Sequence, residues 1–488
     1  GKAKLFSVDG TKVFYNNTQI FNRDQSMLAA HTFLKYNLPN DAIYRNECHV
    51  LDALSASGLR ALRYSQELLT EYQHTFKEEQ RQIKLFVQSN DYSADAVKNI
   101  EFNKQNQDQK VDFEVSLKDA NLLLRENKDK FSVVDLDPYG NPSFFVDAAL
   151  HGLISGGMLA ATATDGLITC GRQPIECFMR YQAVPAHTQF CQEFSVRMVL
   201  AQIALSCIKQ RFSMNVLSCF HHAHYLRVFV QIDKRSKQKS QDMMQNLVNI
   251  AYCKNCGWFE KGQIMGSTEL QCVNQKCALC GHKNWNAGPA WSGMLGDEKF
   301  ISNLQKEIDG ENNLKLSQQK LIRAQLSYLK NEFDHFLYFD ITKICSAFHL
   351  CTLNQNVLLN YLASLKRKII PTCFSVSGAK SDCTSEEIRE ILWFWWNLMH
   401  KAGKCKQAWD FGEVKKIIVE KEDLKQILQV SGVAKIDEIA KEMQDEGWVG
   451  ESTLDLSSFS KQEQFKEIRS QGLFEANPEK NWGPKKMQ

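Results

Sequence analysis

Along the first 235 residues, short apolar runs alternate with stretches whose apolar positions recur at helical spacing. His49 to Asp52, Ile83 to Asp91, Phe113 to Leu117 and Phe131 to Val134 read as strands, and Tyr225 to Ile232 as the closing strand. Strand and helix signals in alternation predict an α/β fold with a doubly wound sheet. Val196 to Ile208 is the richest apolar segment, but it carries Arg197, Gln202 and Ser206 and so reads as a core helix. No apolar run reaches membrane-spanning length. The polar stretch Ser236 to Ser240 marks a boundary, giving a first domain over 1–240, a small element over 241–296 and a C-terminal α+β domain over 297–488. In the last of these, Asp340 to Phe348 and Asn354 to Lys368 show helical apolar spacing, and β-rich Ile369 to Ser375 follows. That order predicts a winged-helix-like part. Trp393 to Trp396 reads as core, and the tail from Val433 as charged helix and linker.

Composition changes this picture in two ways. With 488 residues and 43% hydrophobic content, the chain has enough apolar surface for two or three cores. Its net charge of only +3 excludes a uniformly basic nucleic-acid coat, so any nucleic-acid contact must fall on local clusters. These are Lys234-Arg235 with Lys237 and Lys239, Lys366-Arg367-Lys368, and Lys401 to Lys406. Sixteen cysteines in so long a chain argue against a secreted disulfide scaffold and for a reducing interior with a metal cluster. Cys253 and Cys256 form one C-x2-C pair, Cys277 and Cys280 another, separated by 20 residues and each followed by glycine. This is zinc-ribbon spacing. Four thiolates close the coordination shell, so the expected zinc is structural. Cys272 and His282 are spare candidates.

The candidate chemistry lies at strand ends. Directly after Phe131 to Val134 the chain reads D-L-D-P-Y-G-N-P, from Asp135 to Pro142. An exocyclic amine on a nucleobase is a poor nucleophile because its lone pair is delocalised into the ring. Asp137 can accept its N–H and take up charge as the nitrogen attacks. Pro138 restricts the preceding residue and so holds that carboxylate. Tyr139 offers a stacking face, worth about 1–3 kcal/mol against a base. Earlier, Asp52 ends an apolar strand, and the small-residue turn Ser55-Ala-Ser-Gly58 leads into a helix, where backbone N–H groups can approach a ligand. This turn is similar to the first motif of S-adenosylmethionine-dependent methyltransferases. Asp91 ends the next strand, where a Rossmann-like fold holds ribose hydroxyls. Asp119 and Ala120 follow the third, placed for an adenine amino group by analogy.

Together these segments resemble the eukaryotic and archaeal tRNA guanine-26 dimethyltransferases. Val13 to Asp24, V-F-Y-N-N-T-Q-I-F-N-R-D, is similar to that family's V-F-Y-N-P-x-x-x-x-N-R-D. Asp52 to Tyr64 resembles its E/D-x-L-S-A-T-G-L-R-x-x-R-Y, and Asp137 to Pro142 its D-P-Y/F-G-S/T-P. Gly288 to Trp291 and the tail Phe474 to Pro484 also look like family segments. The resemblance implies a Rossmann-like class I methyltransferase domain, a zinc-ribbon element and a tRNA-binding C-terminal domain. It implies tRNA as partner, no membrane, and S-adenosyl-L-methionine and structural Zn2+ as cofactors. Asp137, Pro138, Tyr139 and Phe14 would form the catalytic base pocket. Arg23, Asp52, Ser55, Gly58, Asp91, Asp119 and Ala120 would line the cofactor, with Arg23 beside the methionine carboxylate. Cys253, Cys256, Cys277 and Cys280 would hold zinc. Lys366, Arg367 and Lys368 would meet phosphates, and Lys380, in the G-x-K-T-D-like Gly378 to Asp382, would meet RNA. An intracellular location is expected, nucleus or mitochondrion ahead of cytoplasm.

Three departures stand out. Where the family usually reads C-T-D-M-x-x-L-x-G and K-Y-G, this chain has Ala163 to Gly171 with Gly166, and Arg180-Tyr-Gln182; Cys191-Gln-Glu193 replaces C-H-E. These leave open a catalytically weak RNA-binding or chaperone paralogue, or a subunit of a larger assembly. An amino-methyltransferase acting on another nucleic-acid base is the other alternative.

Overall fold

In the computed structural model, residues 2–6, 16–107, 110–263, 275–310, 314–332, 335–405, 411 and 414–450 are described. Phe14, Cys272 and the tail motif from Phe474 lie outside them.

The first domain is built on an eight-stranded sheet: β1 Glu47–Asp52, β2 Glu71–Phe76, β3 Glu79–Asp91, β4 Asp112–Leu117, β5 Phe131–Leu136, β6 Leu153–Ala163, β7 Ser213–His222 and β8 Tyr225–Asp233. The order is β2-β3-β1-β5-β6-β8-β7, with β4 also pairing β3. β1 pairs in parallel with both β3 and β5, and β6 in parallel with β5. The strand order therefore reverses between β1 and β5, the switch point outside which open α/β sheets bind ligands. β8, expected as the closing strand, instead runs antiparallel between β6 and β7, and β7 forms that edge of the sheet.

β2, β6 and β7 are not among the strands read from the sequence, and for β2 the reason is local. The first half of β3 makes an antiparallel hairpin with β2, turning at Lys77 and Glu78. Both turn residues have positive φ, 47° and 69°. A turn with two positive φ values favours Asn-Gly or Gly-Gly, so Lys-Glu carries no signal that would announce it.

Helices cover both faces: α1 Ile20–Tyr36, α2 Asn40–Arg45, α3 Leu59–Glu67, α4 Ala94–Gln105, α5 Ala120–Glu126, α6 Ser143–Gly152, α7 Gly166–Thr169, α8 Pro174–Tyr181 and α9 Cys191–Lys209. Among the described residues α9 alone is long and apolar enough to cross a membrane, and it is buried in the core. Arg197 in its middle is matched by Glu193 one turn earlier, at 2.8 Å, which is how a core helix keeps a charge.

After α10 Lys237–Met243, a three-stranded sheet of β9 Leu247–Cys253, β10 Phe259–Gln263 and β11 Asn284–Trp291 carries the cysteine pairs. Then come α11 Glu298–Asp309 and α12 Gln319–Asn331, followed by β12 Phe339–Asp340, α13 Ile341–Ala347, α14 Gln355–Ser364, β13 Ile369–Thr372, β14 Ser375–Ser381 and α15 Ser385–Lys401. The sheet β12-β14-β13 beside α13 and α14 is the expected winged-helix-like arrangement. α16 Lys421–Val430 and α17 Ile436–Asp445 complete the described chain.

The cores divide at different places from the sequence boundaries. One apolar cluster runs from Phe21 through the sheet to Phe300, Leu304, Ile322 and Leu326 of α11 and α12. These helices pack with the first domain: Glu307 of α11 takes hydrogen bonds from Lys35 and Tyr36 and pairs with His31, all on α1. A second cluster joins Cys253, Cys256 and Cys277 to Ile344, Leu358, Leu392 and Trp448. The cysteine element thus shares a core with the C-terminal helices.

Candidate active site

Asp137 leaves β5 at the switch point, with Pro138 buried behind it. Its side chain is 22% exposed and ion-paired through Oδ2 to Arg60, at the start of α3. Arg60 is itself buried and also reaches Asp135, on the same face of β5 two residues back, at 3.2 Å. Asp135 is fully buried and takes further bonds from Arg227 on β8 and Tyr64 on α3, both at 2.7 Å. Burial alone would raise the Asp135 carboxyl; Arg227 and Arg60 outweigh it and hold it down at about 2. The cluster keeps one carboxylate ionised deep inside and presents a second at the edge.

Tyr139 is 88% exposed, with its ring at the mouth. The turn behind it is locked: Gly140 N donates to Thr164 Oγ1 at 2.9 Å, and Thr164 N to Gly140 O at 2.8 Å. Gly140 has φ +97°, a conformation glycine adopts without strain. Asn141 accepts from Ser143 N at 2.8 Å, so the short polar residue expected there still starts α6.

Asp52 ends β1 at the same edge. It is buried, and its Oδ2 has no partner among the described residues. Burial, then the neighbouring Asp135, push this carboxyl up to about 7. An unpaired buried carboxylate oxygen suits a cationic ligand group such as the ammonium of a methionine moiety. The turn beyond Asp52 is strained and braced. Ala56 has φ +47° and donates to Asp91 Oδ2 at 2.8 Å; Gly58 has φ +73°, and a Cβ there would lie 2.8 Å from Ile100. Asp91 also accepts from Ser93 N at 2.9 Å, so both its oxygens are oriented by backbone. Asp119 is exposed and caps α5 by accepting from Leu122 N at 3.1 Å, while Ala120 is buried below it. Arg23 is buried on α1 and donates to Asn16 O at 3.1 Å. Asp52, Ser55, Gly58, Asp91 and Asp119 thus line successive strand ends.

The divergent segment borders this edge. Asp165 Oδ1 accepts from Tyr181 at 2.7 Å, and its other oxygen pairs with Arg180 at 3.5 Å. Gly166 lies against the backbone of His224 in the β7–β8 turn. Leu167, Ile175, Phe178 and Met179 expose large apolar side chains on the segment's outer side.

The family model for N2,N2-dimethylguanosine tRNA methyltransferase matches residues 2–393. The chain belongs to this family. Among relatives named tRNA (guanine(26)-N(2))-dimethyltransferase, the protein of Methanobrevibacter smithii is 28% identical over 381 residues, 78% of this chain and 91% of its own. That of Pyrococcus horikoshii is 29% identical over 411 residues, 80% and 96%. The solved complex of Trm1 from Pyrococcus horikoshii with S-adenosyl-L-methionine is similar with a TM-score of 0.64 at 27% identity, covering 79% of this chain and 96% of that one.

In this member of the dimethylguanosine methyltransferase family, the four zinc-ribbon cysteines come together as expected. Their sulfurs all lie within 4.8 Å of one another, with Cys253–Cys280 at 3.5 Å and Cys256–Cys277 at 3.6 Å. A tetrahedral zinc with bonds near 2.3 Å needs sulfurs about 3.8 Å apart, so the donor set fits. His282, the described spare, is exposed and sits beside Asn255 rather than among the sulfurs.

The basic residues fall out differently. Lys366 and Lys368 are exposed on the turn between α14 and β13, while Arg367 is tied to Glu387 at 2.8 Å. Lys380 corrects an expectation: it is 1% exposed and held by Glu193 at 2.8 Å and Glu332 at 2.7 Å. A lysine in that cage cannot meet RNA; it joins α9, the end of α12 and β14. Sequence reading also missed Arg60, Tyr64, Asp135 and Arg227. Arg60 and Tyr64 stand inside a quoted motif and Asp135 two residues before Asp137. Their pairing, however, depends on Arg227, which reaches Asp135 from a strand 92 residues further along the chain.

Proposed function

We propose that this chain transfers methyl groups to the exocyclic 2-amino group of guanine 26 in tRNA, giving mono- and then dimethylguanosine. The observation that carries the reading is Asp137: one carboxylate, clamped by Arg60 at the switch point, beside the exposed face of Tyr139. Bound S-adenosylmethionine would supply an electrophilic methyl on a sulfonium. Asp52, Asp91 and Asp119 would hold its ammonium, ribose and adenine ends, and Arg23 its carboxylate. Asp137 accepts one N–H of the guanine amine, orients the nitrogen lone pair and takes the proton as the N–C bond forms, while the methyl–sulfur bond would break with its electron pair leaving on sulfur as a neutral thioether. Arg60 holds Asp137 in place for that transfer. Catalysis on an already activated methyl is mostly positioning and charge stabilisation.

A guanine amine inside folded tRNA reaches this edge by extrusion of the base, with Tyr139 stacking on it. Phe14, outside the described residues, is proposed as the second wall of the base pocket on the family resemblance alone. Lys366 and Lys368 are the proposed phosphate contacts, acting with Arg367 as a positioning cluster. The test is methyl transfer to unmodified tRNA with nucleosides read by mass spectrometry. Dimethylguanosine is expected on the natural tRNA and is absent when guanine 26 is replaced by adenine. Equal product from both RNAs would overturn the position; no product from either, with tRNA bound, would favour an RNA-binding paralogue.

A further inference from the structure

Tyr225 opens β8 at the catalytic edge. It is 1% exposed, and its hydroxyl has no hydrogen-bond partner among the described residues. An unpaired buried hydroxyl is costly, so its persistence at an active site calls for a reason. The sheet register supplies one. Two residues further along the same face of β8, Arg227 reaches over Thr162 of β6 to Asp135 of β5. Tyr225 and Asp137 are displaced from Arg227 and Asp135 by the same two residues toward the same edge. Repeating the reach of Arg227 one step up the sheet aims the phenol at Asp137. The electrostatics agree: burial first, then the Asp137 carboxylate, push the Tyr225 phenol above its ordinary range. The acceptor is also available, because Arg60 occupies Oδ2 of Asp137 and Oδ1 accepts no bond from a described residue.

We propose that Tyr225 is a positioning residue for Asp137, its O–H donating to Oδ1 when guanine is seated, so that Arg60 and Tyr225 hold the two carboxylate oxygens between them. This rests on Asp137 acting as the base. The ring is packed to give that aim: Phe220, His222 and His224 meet its edges at centroid distances of 6.1, 5.9 and 5.5 Å, and Phe21 of α1 backs His222 at 4.7 Å. The surrounding charges are Arg23 on α1, Arg60 on α3, Asp52 on β1, Asp135 on β5 and Arg227 on β8. The histidines of the hairpin are pushed down by burial, His221 and His222 to about 4, so they stay neutral through the working range. Asp52, at about 7, is the neighbour that titrates there. Its effect is common to wild type and variant and cancels in their difference.

The test is Tyr225→Phe in the full chain, beside wild type. The variant is expected to lose about tenfold in kcat, with KM for tRNA and Kd for S-adenosylmethionine within twofold. Thermal stability should hold or rise, because the removed hydroxyl was unpaired. Unchanged kcat would overturn the inference. So would a loss confined to cofactor affinity, which would assign the hydroxyl to the methionine carboxylate instead. An inactive wild type would sink the parent reading of function, an outcome distinct from both.

Discussion

Arg60 and Lys380 are each buried between two carboxylates, yet only one of the two clusters opens to solvent. Arg60 joins fully buried Asp135 to Asp137, whose side chain is 22% exposed beside the exposed Tyr139. Lys380 joins Glu193 to Glu332, and all three are almost completely enclosed. The residue types are nearly the same, and so is the cost of taking charge out of water. What separates a working site from a strut is the last member: at the sheet edge one carboxylate can still reach a ligand. At the junction the charges are spent on joining α9, α12 and β14. In this chain Lys380, within the segment that resembles a family motif, serves that junction rather than contact with RNA.

This contrast can be broken most severely at the strut. Lys380→Met leaves two buried carboxylates short of a partner and is expected to destabilise the fold by about 3–5 kcal/mol. Denaturant unfolding would read this, with activity per folded molecule little changed. A mild stability loss with abolished tRNA binding would reverse the assignment. The next effect belongs to Asp52. Its carboxyl is raised to about 7 in the folded chain, above the unfolded value, so the native state prefers it protonated. Its contribution to stability is therefore full below about pH 4 and is lost as pH rises toward about 7. Asp52→Asn should flatten that fall while raising the Kd for S-adenosylmethionine about tenfold or more. A variant that binds cofactor normally would contradict the placement. Smallest is the surface: Lys366→Ala with Lys368→Ala should weaken tRNA binding severalfold and lower the salt slope by about one per lysine. Cofactor affinity should not change, and an unaltered salt slope would move the RNA contact elsewhere.

Much of the edge was legible because strand-end chemistry is local. Asp52, Asp91, Asp119 and Asp137 each follow a short apolar run, and the cysteine pairs announce themselves by spacing. What stayed hidden was long-range or unsignalled. The β2–β3 hairpin turns on Lys77 and Glu78, which break the usual turn preference. Arg227 meets β5 only because β8 inserts next to β6, a pairing that no local pattern encodes. Lys380 sits in a short, polar-looking strand, and only the carboxylates of Glu193 and Glu332, distant in sequence, explain its burial. Helix α1 is not among the elements read from the sequence, and its polar residues Asn22, Asp24, Gln25, Ser26 and His31 are buried. Asp24, for example, takes Arg63 at 2.7 Å and the backbone of Ser317 at 2.6 Å.

The central claim is that Asp137, the open end of the Arg60 cluster, receives the amine proton. Single-turnover methyl transfer by Asp137→Asn, with tRNA and S-adenosylmethionine binding measured on the same preparation, tests it most directly. The account predicts a rate loss of about a hundredfold to ten-thousandfold with both ligands still bound and the fold intact. A variant that transfers methyl groups at the wild-type rate would contradict it.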